Sequence, residues 1–75
     1  MQYKYSVAVK DRLEQEYKPT KREAIEHAQS VALKQQTRAT VWREKHYQDG
    51  TCDMSMVVRY WYDETLNRLQ YEKGS

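Results

Sequence analysis

Three side chains in this sequence have the chemistry to hold a soft metal ion or to act as nucleophile and base: His27, His46 and Cys52. They fall in segments that read as a helix, a strand and a hairpin turn, without the close pairing that zinc sites show. No metal site and no cofactor is expected from them. A nucleophilic cysteine needs a base held beside it, and no motif flanking Cys52 supplies one. Two carboxylate pairs, Asp49 with Asp53 and Asp63 with Glu64, lie in turns, where aspartate is favoured for backbone reasons alone. The only glycines are Gly50 and Gly74, so there is no glycine-rich phosphate loop. An enzyme is not expected.

Recognition chemistry is better represented. The chain has seven Tyr and two Trp but no Phe, so every aromatic ring carries a polar handle suited to half-wet positions. Tyr, Trp, Met and Arg are the residues enriched at protein interfaces. They concentrate in MSMVVRYWY, Met54 to Tyr62, and in the neighbouring segments. Arg59, Trp61, Trp42 and Arg43 are the expected binding residues, with Lys45 and Lys4 beside them. A protein partner is the first expectation. The alternative is nucleic acid, since rings that stack bases beside cations that hold phosphates are how single-sheet domains bind single strands. A net charge of +2 permits that reading without predicting it. In the plainest reading, Trp61 and the tyrosines are cross-strand packing pairs.

The element that must position these groups is a helix over Thr20 to Gln36. Ala24, Ile25, Ala28, Val31 and Ala32 line one of its faces, and Arg22, Glu23, Glu26, Ser30 and Lys34 the other. Thr20 and Glu23 form a capping-box signature, and Pro19 blocks extension backward. A face built mostly of alanine calls for something flat and close, most simply a β-sheet. Leu33 points away from it.

Strands flank the helix. Tyr3, Tyr5, Val7 and Val9 alternate with Lys4, Ser6, Ala8 and Lys10. Asp11 to Lys18, with Leu13 and Tyr17, reads as a polar connection or a short edge strand. A second strand runs through Thr37 to Tyr47, one face carrying Ala39, Val41, Arg43 and Lys45 and the other Thr40, Trp42, Glu44 and His46. Asp49-Gly50 marks a hairpin turn. Met56, Val58, Tyr60 and Tyr62 share one face of the longest strand, Val57, Arg59 and Trp61 the other. A last strand spans Leu66 to Glu72, with Leu69 and Tyr71 inward.

The expected fold is therefore α+β, a two-layer sandwich in the order β-α-β-β-β, with one helix packed on one face of a mostly antiparallel sheet. Residues 1–75 form a single domain. A crossover through the helix would set the second strand parallel to the first. One helix covers one face; the second strand leaves open which of its faces that is, and in one of the two arrangements Arg43, Lys45, Arg59, Trp61 and Lys4 share the open face. The first and last strands are the candidate edges. So small a domain buries roughly 60% of its unfolded surface, which makes a homodimer or a stabilising partner plausible. No apolar run reaches membrane-spanning length and no signal-peptide pattern is present, so a cytoplasmic protein with no membrane partner is expected.

The segments KYSVAV (Lys4 to Val9), PTKREAIEHAQSVA (Pro19 to Ala32) and RATVWRE (Arg38 to Glu44), with the Asp49-Gly50 turn, resemble in layout the small phage and mobile-element accessory proteins of the anti-CRISPR type. That resemblance implies a non-enzymatic inhibitor that occludes a surface of a nucleic-acid-targeting defence complex. It assigns no role to any residue. The same helix onset occurs in small antitoxins, so an antitoxin-like component is a further alternative.

Overall fold

The computed structural model describes residues 2–10 and 16–74. Its elements are β1 (Gln2–Val9), β2 (Glu16–Lys18), α1 (Lys21–Gln35), β3 (Ala39–His46), β4 (Cys52–Asp63) and β5 (Arg68–Lys73). The stretch 11–15, including Leu13, lies outside the described residues.

Helix α1 starts where its chemistry says it should. Thr20 is extended at φ −127° and ψ 154°, and its Oγ1 accepts the Glu23 amide at 3.2 Å. One of the orphan donors of the first turn is satisfied this way. The helix stops at Gln36, which takes the left-handed conformation at φ 50°. Ala24, Ala28 and Ala32 are completely buried, one turn apart, and Ile25 and Val31 flank them half-buried. These residues pack on Val7, Ala39, Val41, Val58 and Tyr60. The opposite face is solvated, with Arg22 Nε donating to Glu26 Oε1 at 3.3 Å and Leu33 exposed. A stripe with one methyl per turn lets the helix backbone lie close to the valines of the sheet.

The sheet has five strands in the order β2-β1-β3-β4-β5, and every neighbouring pair is antiparallel. The fold class is the expected one, a helix on one face of an antiparallel sheet. The expected parallel pairing of β1 with β3 is corrected. Tyr5 pairs with Arg43 and Val7 with Val41 in an antiparallel ladder. The cause is β2: its three residues reverse the chain against β1 before the helix begins, so the crossover through α1 leaves from β2. Strands β2 and β3 then flank β1 on its two sides. For the same reason β1 is internal, and the described edges are β2 and β5 rather than β1 and β5.

A register shift between Val41 and Trp42 sets the faces of β4. Val41 opposes Val58, but Trp42 opposes Met56, so Val57 is the extra residue of a bulge. Val57 joins the helix side, where it packs on the core. Met56 moves to the side of Trp42, which corrects its expected place beside Val58 and Tyr60. Tyr71 was expected inward. It lies on the helix side with its ring 6.2 Å from that of Tyr60, but β5 is the edge strand, and while Leu69 packs on the core Tyr71 is 60% exposed. Gly74, which carries no signal in the sequence, donates its amide to the Val57 carbonyl at 2.9 Å. A Cβ there would overlap the Met56 carbonyl.

The turn between β3 and β4 follows the Asp-Gly signal. Gly50 takes φ 89°, and its amide reaches the Tyr47 carbonyl at 3.2 Å. Asp49 Oδ1 accepts from the Thr51 hydroxyl at 2.7 Å and from its amide at 3.0 Å. These bonds, the hydroxyl first, hold the Asp49 carboxyl below the ordinary aspartate range.

Two outcomes follow from this packing. Ala28→Leu should lower stability by about 1–3 kcal/mol, because the three extra heavy atoms of leucine cannot enter a helix–sheet contact filled by methyls; urea unfolding of the variant measures it. The Asp49 contribution is present above the ordinary aspartate range and is lost as pH falls through the depressed folded value. The difference in melting temperature between the parent chain and Asp49→Ala should therefore be largest near neutrality and shrink on acidification.

Candidate binding face of the sheet

Strand alternation sorts the polar and aromatic residues between the two sides of the sheet. Tyr5, Val7, Val41, Val58 and Tyr60 face the helix. The opposite face carries Lys4, Ser6 and Ala8 from β1 and Thr40, Trp42, Glu44 and His46 from β3. Strand β4 adds Cys52, Met54, Met56, Arg59 and Trp61. Among the described residues no secondary-structure element lies over this face.

The centre of the face is closed by its own side chains. Ser6 and Thr40 are buried, and Trp42, the β3 neighbour of Ser6, is half-buried. Arg59 Nε donates to Thr40 Oγ1 at 3.3 Å, which holds the guanidinium stem against the sheet. Ser6 Oγ is buried without a hydrogen-bond partner among the described residues.

One end of the face opens into a cleft of about 510 Å³. Lys10, Arg38, Arg59 and Trp61 line it, with Glu72 of β5 as the carboxylate on its wall. Lys10 comes to it because its amide donates to the Arg38 carbonyl at 3.2 Å, closing the end of β1 onto the start of β3. The other end lies at the β3–β4 hairpin, about 20 Å away along β3 at the usual rise per residue. There His46 and Cys52 are cross-strand partners, and Glu44 stands two residues before His46 on the same face. The sequence expectation that His46 and Cys52 are unrelated is corrected, because the hairpin register sets them side by side.

The six expected binding residues divide. Arg59 and Trp61 share the cleft, Trp42 lies at the closed centre, and Lys4 opposes Glu44 toward the hairpin end. Arg43 and Lys45 do not share this face, which corrects the expected grouping. They continue the row of Ala39 and Val41 on the helix side, beyond the start of α1. Arg43 lies 5.5 Å from the centre of the Tyr3 ring, and Lys45 lies 5.3 Å from that of Tyr47. Lys10 and Arg38 were not among the expected residues. Lys10 continues the row Lys4-Ser6-Ala8, so its face was readable; Arg38 is positioned by the helix exit. His27, the third soft ligand, pairs with Glu16 and joins α1 to the edge strand.

The chain matches no protein-family model, no curated protein and no solved structure. The functional reading therefore rests on the residues and their geometry.

The closed centre supplies a check. Ser6→Ala removes a buried hydroxyl that has no partner among the described residues, so stability should stay level or rise by up to about 1 kcal/mol. A measured loss of that size in urea unfolding would show that Ser6 Oγ is bonded.

Proposed function

We propose that this chain is a small binding module that engages a protein partner through the helix-free face of its sheet, with Arg59 and Trp61 at the middle of the contact. The observation that carries this reading is the cleft in which Lys10, Arg38 and Arg59 stand beside Trp61 and oppose one carboxylate, Glu72. Such a cleft is complementary to an acidic patch on a partner. Trp61 supplies the large anchor that dominates interface energies. Arg59 is already held by Thr40, so less side-chain freedom is lost on binding. The inhibitor of a nucleic-acid-targeting defence complex is the finer form of this reading, and the resemblance in layout is what supports it.

The same cleft favours a second reading, a single-stranded nucleic acid with a base on Trp61 and phosphates on the three cations. The two readings differ in their response to salt and in the ligand needed. Trp42 and Trp61 are the only tryptophans, and both lie on this face. Fluorescence titration with single-stranded DNA and RNA should leave emission unchanged under the first reading. Quenching that weakens steeply with salt would replace it by the second, because release of counterions scales with the phosphates neutralised. With a purified partner, Trp61→Ala should cost about 2 kcal/mol or more of affinity while the fold survives. Unfolding of that variant would assign Trp61 to the core and overturn the placement.

A further inference from the structure

The hairpin end of the sheet brings three metal-binding donors together on one face. His46 Nε2 lies 3.2 Å from Glu44 Oε1 and 3.9 Å from Cys52 Sγ, and all three donor atoms lie within 4.8 Å of one another. Ligands at zinc bond lengths, in a tetrahedron, stand about 3.4–3.6 Å apart. The two separations from His46 Nε2 bracket that range, and Cys52 is exposed at the hairpin mouth, its Sγ also 3.8 Å from the Asp53 carbonyl.

Glu44 is the unusual member. Its side chain is only 8% exposed, and its second carboxylate oxygen, Oε2, is buried without a hydrogen-bond partner among the described residues. A buried carboxylate oxygen left in that state is costly unless a cation or a donor meets it. Among the described residues His46 is the one basic side chain within ion-pair distance of Glu44. Lys4, opposite Glu44 on β1, is exposed.

The same three groups also suggest a nucleophile, base and orienting acid, but the geometry is wrong for that. In a relay the nucleophile and the acid meet opposite nitrogens of the imidazole. Here both the thiol and the carboxylate face Nε2. Donors that converge on one point suit an ion at that point.

We propose that Glu44, His46 and Cys52 form a binding site for a zinc-class divalent ion. Thiolate, imidazole and carboxylate together select zinc over magnesium and calcium, which prefer oxygen alone. Binding replaces the Cys52 S–H bond by a sulfur–metal bond and releases that proton to solvent. His46 contributes the lone pair of Nε2, with its ring proton on Nδ1, and Glu44 contributes a carboxylate oxygen. No electrons are transferred. The fourth position faces solvent at the hairpin mouth, open to water or to a donor from a partner. The ion ties β3 to β4 across the His46–Cys52 pair, about 20 Å from the Trp61 cleft, so this site is independent of the binding reading above.

The test uses the reduced, chelator-treated full chain and Co2+ as the probe. Titration should saturate at one equivalent per chain and show the ultraviolet charge-transfer band of thiolate bound to cobalt. Zn2+ should displace the cobalt and raise the melting temperature, and excess Mg2+ should do neither. Cys52→Ser should abolish the band. His46→Gln should weaken binding by at least the about 10–100-fold that loss of an outer-shell partner costs. Neither Cys52 nor His46 is a core residue, so both variants should melt near the metal-free parent. His27→Gln, which alters the remote Glu16 pair, should bind like the parent. Absence of the charge-transfer band, saturation at half an equivalent, or a zinc-induced shift that survives in both Cys52→Ser and His46→Gln would overturn the proposal.

Discussion

The close approach of α1 to the sheet is the contact on which the rest of this structure depends. It is made by three alanines, Ala24, Ala28 and Ala32, against Val7, Val41 and Val58. Each of these side chains buries little area, so the contact relies on fit rather than on large rings. A small core leaves the aromatic residues for other work. Of the seven tyrosines only Tyr60 is buried, and Tyr3, Tyr17, Tyr47 and Tyr71 are exposed. The domain spends its apolar methyls inside and presents its amphipathic rings at edges and faces.

The same contact decides which side of the sheet is available. The helix axis runs over β1, β3 and β4, and its presence there makes Ala39, Val41, Val58 and Tyr60 one continuous row. Everything of opposite parity is then on the far side, including Trp42, Arg59 and Trp61. The bulge at Val57 changes the parity of β4 once, at mid-strand. It keeps Val57 and Val58 both on the core and turns Met56, Met54 and Cys52 to the far side. In a ladder continued from Val41–Val58 without the bulge, Val57 would pair with Trp42 and Asp53 with His46, Cys52 would face the other way, and the Glu44-His46-Cys52 grouping would not exist. A local irregularity thus links the packing of the core to the chemistry at the hairpin end.

The far side is not a uniform platform. Ser6 and Thr40 close its centre, and the two ends carry different chemistry: cations with Trp61 at one, and carboxylate, imidazole and thiol at the other. Their separation by the length of β3 means that a change at one need not disturb the other. It also gives a face with net positive character at one end and metal-ligand character at the other, although the whole chain carries a net charge of only +2.

Much of the local structure was legible in the sequence. Thr20, Pro19 and the alanine spacing specify the helix and its buried face, and Asp49-Gly50 specifies the turn, because capping, periodicity and left-handed glycine are short-range effects. Alternation likewise placed Arg59 and Trp61 together. What only the tertiary structure decided is everything that depends on cross-strand register. Whether β1 meets β3 parallel or antiparallel turned on three residues, Glu16 to Lys18, that reverse the chain. Whether Arg43 and Lys45 join Trp61 turned on which face of β3 the helix covers, and both faces of that strand carry apolar and charged residues. Whether Cys52 meets His46 turned on the tight pairing of Tyr47 with Thr51 and on the bulge at Val57. Register is set by non-local burial, and a one-residue slip exchanges the faces of a strand. The sequence by itself therefore determines the elements and their caps, and the packed sheet determines which side chains become neighbours.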